Sequence, residues 1–112
     1  MKNNDIGFKH DYENTTLTFE DVCKLSGNII LEFGTAWCAH CQAASSAIEE
    51  VFTEHTTLSH IKIVDGKGKR LGRVFKVKLW PTLILLHDGK EVARVVRPLH
   101  SDEVRQLTEK IN

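Results

Sequence analysis

The sequence predicts an α/β domain built as a three-layer α/β/α sandwich, with a mixed central sheet between helices. Three observations predict it. Asn28-Ile29-Ile30-Leu31-Glu32-Phe33 is a nearly continuous apolar run, as expected of a strand buried on both faces. It gives way to a stretch in which Ala44, Ala47, Ile48, Val51 and Phe52 recur at helical spacing. Further on, two more strand-like runs are joined through Asp88-Gly89, a strong hairpin signal. Strands alternating with helices and then ending in a hairpin imply a sheet of mixed direction covered on both faces.

The elements follow in order. Thr15–Thr18 is expected to form a short first strand. Thr18-Phe19-Glu20-Asp21 matches a capping box, with Leu17 and Val22 placed as a hydrophobic staple. It opens a short helix through Val22 and Leu25, which Gly27 stops. Residues 28–33 form the next strand. In the long helix that follows, Ser45, Glu49, Glu50 and Thr53 take the face opposite the apolar stripe. Ile61–Asp65 reads as a strand, and Leu71, Val74 and Phe75 mark a short helix after a Gly-rich loop. Thr82–His87 and Glu91–Val96 are the hairpin strands. Ser101 is expected to cap a final helix, with Asp102 and Glu103 in its first turn and Val104, Leu107 and Ile111 facing inward. The expected order is β-α-β-α-β-α-β-β-α.

A chain of 112 residues suits one core, so residues 1–112 are expected to form a single domain with residues 1–14 as an N-terminal extension. No run approaches the length of a membrane-spanning helix. The polar start, Met1–Gly7, lacks the apolar segment of a secretory signal, so a cytoplasmic location is expected. Three cysteines do not make a structural disulfide framework. The odd one, Cys23, is expected to be a small buried or half-buried side chain on the first helix.

The formal net charge is zero, but residues 1–60 hold nine acids and three bases whereas residues 61–112 hold six acids and twelve bases. The densest stretch is Lys67, Lys69, Arg70, Arg73, Lys76 and Lys78. It reads as a solvated face or as a steering surface for acidic partner proteins. Only Phe75 and Trp80 interleave with these bases, so nucleic acid is not expected as a partner.

The chemistry centres on Trp37-Cys38-Ala39-His40-Cys41, at the junction between the apolar strand and the long helix. A strand, a Cys-x-x-Cys and a helix in that order provide the geometry a redox-active dithiol needs. The two-residue spacing sets both sulfurs across the first helical turn. The unpaired amides and macrodipole of a helix N-terminus then favour a thiolate on the first, and a thiolate is the species that attacks disulfides.

Competing readings fit less well. Cys38 and Cys41 with His55 and His60 match a Cys2His2 zinc spacing. The intervening helix would carry His55 about 20 Å from Cys41, at about 1.5 Å per residue, too far for one ion. Gln42 stands where c-type haem attachment needs a histidine. Gly66-Lys67-Gly68-Lys69-Arg70-Leu71-Gly72 lacks the GK[ST] and GxGxxG patterns of phosphate loops and reads as a flexible loop. No metal site is expected.

With Trp-Cys-x-x-Cys after one apolar strand and Trp80-Pro81-Thr82 before another, about 40 residues on, the chain resembles the thioredoxin family over roughly residues 15–110. The resemblance implies a thioredoxin-like fold in which Pro81 is cis and lies beside the dithiol. Its neighbouring backbone would pair with an extended substrate chain, a form of strand addition. His40 replaces the proline that thioredoxin carries before its second cysteine, and Glu32 takes the place of thioredoxin's buried aspartate. Both features are closer to the catalytic domain of protein disulfide isomerase, whose arginine beyond the last strand Arg97 would match. Gln42, the bulky Trp80 and the Arg97-Pro98 pair depart from thioredoxin, so substrate choice is not carried over.

The implied activity is thiol–disulfide exchange with protein substrates, expected to run as reduction. Cys38 would be the nucleophile and Cys41 the resolving thiol, the pair closing a reversible disulfide that needs no other cofactor. His40 would favour the Cys38 thiolate and make the dithiol more oxidising than thioredoxin's. Burial of Glu32 in an apolar strand suits it to pass a proton to or from Cys41, with Lys62 as a possible counter-charge. Trp37, Ala39, Trp80, Pro81, Thr82 and Arg97 would form the substrate surface. The expected partners are disulfide-bearing proteins and a thiol or reductase donor, with no membrane and a monomeric state. The alternative is a redox-inert binding module or adaptor of the same fold.

Overall fold

The structure, a computed structural model, describes residues 6–111. Its elements run α1 (Phe19–Cys23), β1 (Asn28–Gly34), α2 (Ala39–Phe52), β2 (Ser59–Val64), α3 (Arg70–Val74), β3 (Thr82–His87), β4 (Lys90–Val96) and α4 (Ser101–Thr108). The strands form one sheet ordered β2-β1-β3-β4. β1 pairs parallel with β2 and antiparallel with β3, and β4 returns antiparallel from β3, so the sheet is mixed.

β1 is central because its side chains can be buried on both faces. Ile29, Ile30, Leu31 and Phe33 are all fully buried, each contributing roughly 1.5–3 kcal/mol from burial. The two-residue period of a strand sends Ile29, Leu31 and Phe33 to one face, where they meet Val22, Leu25, Ile63, Leu71 and Phe75. Ile30 points to the other face, against Ala44, Ile48, Val51, Val104 and Leu107. α2 and α4 therefore cover one face, while residues of α1 and α3 cover the other. Glu32 shares the parity of Ile30 and so lies on the α2 face.

The hairpin between β3 and β4 turns at Asp88 and Gly89, with φ of 50° and 81°. Two successive positive values suit the right-handed twist of the flanking strands. The turn is tied to the loop before β1, since Gly27 N–H donates to Asp88 Oδ1 at 2.8 Å and Asp88 N–H to Gly27 O at 3.0 Å.

The structure corrects the sequence reading in several places. Thr15–Thr18 is not a strand. Strand-like pairing occurs earlier, as isolated bridges from Ile6, Gly7 and Glu13 to β2. Gly7 N–H donates to Leu58 O, Glu13 N–H to Lys62 O and Val64 N–H to Glu13 O. Residues 6–13 thus strap the outer edge of β2, leaving residues 15–17 to cross toward α1. Residues 1–5 of the expected extension, with most of the polar start, lie outside the described residues. Cys23 is exposed, because Val22 takes the inward face of this short helix and Leu25, just past its end, packs into the same core. α4 is capped at His100 rather than Ser101. There the Glu103 carboxylate accepts the N–H groups of Leu99 and His100 at 2.8 and 3.0 Å. The Thr18–Asp21 capping box is formed as read.

Candidate active site

Three loops converge at one end of the sheet. Residues 35–38 leave the end of β1, Trp80-Pro81 enters β3, and Arg97 leaves β4. The register Phe33↔Thr82↔Val96 aligns these three strand ends.

Cys38 is the N-cap of α2, with extended backbone and a partly exposed side chain. Its Sγ accepts the backbone N–H of Cys41 at 3.2 Å, so the sulfur satisfies one of the orphan amides of the first turn. Cys41 lies one turn deeper and is only 4% exposed. Both are free thiols. Burial, then the adjacent Cys38 thiol, pushes the Cys41 thiol up to about 11, against opposing bonds from the Tyr12 hydroxyl and the Thr35 backbone. The inner sulfur therefore holds its proton at neutral pH. Ala39 and His40 open the helix and face solvent, and Trp37 before them is 74% exposed.

The Trp80–Pro81 bond is cis and Pro81 is buried. Trp80 is half-buried, its indole Nε1–H bonded to Asp65 Oδ2 at 2.9 Å. Thr82 is buried, its hydroxyl donating to Leu79 O at 2.6 Å. Arg97 Nε donates to Trp80 O at 2.8 Å and Arg97 N–H to Pro81 O at 2.9 Å. The backbone at the proline is thereby tied to the loop after β4.

Beneath Cys41, Glu32 is 1% exposed. Lys62 is its register partner on β2, yet the expected pairing between the two is not formed. Lys62 Nζ donates instead to His10 O at 2.8 Å and lies 4.3 Å from the Tyr12 ring centre. Glu32 Oε1 meets His60 Nε2 at 2.8 Å, and Glu32 Oε2 accepts the Tyr12 hydroxyl. His60 is packed between the rings of Phe8 and Phe52, with centroids at 5.3 and 4.8 Å. Its burial depresses its protonation, against the bond and charge of Glu32. Its Nδ1 accepts the Lys9 backbone N–H at 2.9 Å. A neutral ring has one N–H, so that proton sits on Nε2 and points at Glu32.

The sequence reading missed Tyr12 and His60. His60 enters the sequence reading only as a zinc ligand, because the strand expected from Ile61 in fact begins two residues earlier, at Ser59. Its parity with Lys62 and Glu32 was the available signal. Tyr12 had none, since nothing in a polar extension says that it folds back. Of the residues expected in the substrate surface, Trp37 and Ala39 are solvent-facing, Arg97 and Trp80 are bonded to each other, and Pro81 and Thr82 are buried.

The thioredoxin family model matches residues 11–110. A Mycobacterium tuberculosis thioredoxin is 34% identical over 77 residues, which are 68% of this chain and 66% of that relative, a little under two thirds of its length. A Chlamydia trachomatis thioredoxin is 31% identical over 76% of this chain and 83% of its own. Among solved structures, reduced thioredoxin 2 from Pseudomonas aeruginosa aligns with a TM-score of 0.82 and 45% identity, covering 91% of this chain and 94% of the other.

Proposed function

The chain belongs to the thioredoxin family, and on that premise we propose that it is a protein thiol–disulfide oxidoreductase working chiefly as a reductase. The observation that carries the reading is the unequal pair of sulfurs, with Cys38 partly exposed on the orphan amides of α2 and Cys41 buried one turn behind it.

The Cys38 thiolate attacks one sulfur of a substrate disulfide. A mixed disulfide forms and the other substrate sulfur leaves as thiolate. Cys41 loses its proton and attacks Cys38 Sγ, forming the Cys38–Cys41 bond and releasing the second substrate thiolate. The substrate disulfide is thereby reduced by two electrons and the enzyme dithiol oxidised. A small thiol or a reductase returns the electrons, and no bound cofactor is required.

Glu32 is the proton acceptor for Cys41. His40, on the first turn, favours the Cys38 thiolate and so the reduced enzyme, in the manner of protein disulfide isomerase domains. Trp37, Ala39 and the Trp80-Pro81-Thr82 segment bind the extended substrate chain, with Arg97 governing access to the Trp80 carbonyl. We place this activity in the cytoplasm, on a monomer, where a reducing environment favours reduction as the net direction.

Turbidimetric insulin reduction with a dithiol donor tests the proposal. Wild type should accelerate precipitation and Cys38→Ser should not. Wild-type protein that gives no acceleration with any thiol donor would instead support the redox-inert binding module.

A further inference from the structure

Tyr12 reaches the dithiol from outside the sheet. The strap of residues 6–13 runs along β2 and delivers the phenol to the space between Cys41 and Glu32. Gly34 holds that space open. A Cβ at this position would lie 2.5 Å from Cys41 Sγ and 2.7 Å from the Tyr12 hydroxyl oxygen, so both atoms crowd the same point of β1. The Tyr12 hydroxyl donates to Glu32 and lies against the Cys41 thiol, close enough that each group shifts the other's ionisation. Glu32 is held in turn by His60, whose tautomer is set by Lys9 N–H. A cleft of about 380 Å³, lined by Tyr12, Thr35, Cys41, Ser45 and Lys62 among others, opens beside the inner sulfur.

Resting on the oxidoreductase reading, we propose that Tyr12 is the proton relay between Cys41 and Glu32, and that His60 positions the carboxylate for it. In the resolving step the Cys41 S–H proton passes to the Tyr12 oxygen as the Tyr12 hydroxyl proton passes to Glu32 Oε2. The chain of bonds reverses, so that Glu32 donates to Tyr12 and Tyr12 donates to the new thiolate. Tyr12 carries no net charge before or after. That suits a phenol whose burial and proximity to Glu32 hold its ionisation far above the ordinary range. The Cys41 thiolate then attacks Cys38 Sγ and expels the substrate thiolate, and Glu32 keeps the proton until Cys41 is reduced again. The N-terminal strap is on this account part of the active site.

Other titratable groups face the relay from every element packed on it. They are Cys38 on α2, Lys9 on the strap, and His60 and Lys62 on β2. A pH profile of one variant is therefore read only against wild type.

The test follows the mixed disulfide formed with a peptide disulfide, by rapid mixing and acid trapping, from about pH 6 to about pH 10. Tyr12→Phe keeps the ring and removes the hydroxyl. Near neutral pH its resolution step should slow by about a hundredfold or more, the range for a lost acid–base group, and the mixed disulfide should accumulate. The deficit should shrink as pH climbs toward the Cys41 value of about 11, where that thiol ionises unaided. A deficit of the same size at every pH, or none, overturns the relay.

Should Tyr12→Phe fail to fold, Glu32→Gln carries the same expectation, because it removes the acceptor and leaves the phenol. For the positioning role, His60→Gln should resolve faster than His60→Leu, since only the amide can donate to Glu32; equal rates overturn it. Wild type that captures and resolves the peptide while Tyr12→Phe matches it defeats the relay alone. Wild type that never captures the peptide defeats the oxidoreductase reading as well.

Discussion

His60 Nε2 lies 2.8 Å from Glu32 Oε1, with both residues 1% exposed. Geometry alone would make this an ion pair, but burial favours the neutral ring of His60, so the contact is its single N–H donated to a Glu32 carboxyl oxygen. Losing that bond leaves a buried acceptor unsatisfied, at a cost of about 1–3 kcal/mol.

Acid sensitivity follows with a definite sign. The folded-state pKa of His60 lies below its ordinary 6.5. Above 6.5 neither folded nor unfolded His60 holds the extra proton, and the full stability is present. As pH falls below 6.5 and through the folded value, the unfolded chain binds a proton that the folded chain resists. Stability then drops by at most about 1.4 kcal/mol per pH unit from this group. Urea midpoints should therefore fall on the acid side in wild type, and His60→Gln should flatten that limb. Parallel acid limbs in the two proteins would show that His60 does not drive the effect.

Gly34→Ala probes how tightly the buried site is assembled. The added methyl would meet Cys41 Sγ at 2.5 Å and the Tyr12 hydroxyl at 2.7 Å. Gly34 itself is buried at the end of the central strand, in register with Val64. Overpacking of this kind costs about 1–3 kcal/mol. The variant should lose that much by chemical denaturation and should also reduce insulin more slowly than wild type at a pH where both are folded. Wild-type stability with wild-type turnover would mean that the two groups can move apart freely.

The elements legible in the sequence were those whose periodicity reports their surroundings. β1 announced itself by a run without alternation, α2 by its 3.6-residue stripe, and the hairpin by Asp88-Gly89. Less legible were features that depend on contacts distant in sequence. Nothing local distinguishes Thr15–Thr18, extended but unpaired, from a strand, because the β2 edge is already taken by Gly7 and Glu13. Cys23 and Val22 are adjacent on the same helix, and only the direction of the core decides which is exposed. At the site, Cys38, Cys41 and Glu32 could be named from position along the chain. The Tyr12–Glu32 contact spans 20 residues and forms only because the strap folds back over β2.

Arg97 has φ of 52°, a left-handed conformation that glycine adopts without a steric penalty. Arg97→Gly should therefore be more stable than Arg97→Ala by about 1 kcal/mol, with both losing the guanidinium bond to Trp80 O. Both variants free that carbonyl to accept an N–H from an extended substrate, and the KM for an uncharged peptide disulfide should fall. An unchanged KM in the glycine variant would mean that Arg97 does not compete with substrate for this acceptor. Thermal unfolding of the two variants checks the backbone part separately.

His40→Pro addresses the redox poise. Position 40 lies on the first turn of α2, where the backbone N–H has no intrahelical acceptor, so proline is tolerated there. The substitution removes an exposed imidazole one residue from Ala39 and two from Cys38 without touching the core. A cation near Cys38 stabilises the thiolate, hence the dithiol form, and raises the reduction potential. Taking it away should move the potential to more negative values, by about 30 mV for each 1.4 kcal/mol of stabilisation lost. Equilibration of wild type and variant against glutathione buffers, read by alkylation of Cys38 and Cys41, measures the shift. A potential unchanged within a few millivolts would assign His40 to solvent alone and leave the poise of the dithiol to the helix amides and the buried carboxylate.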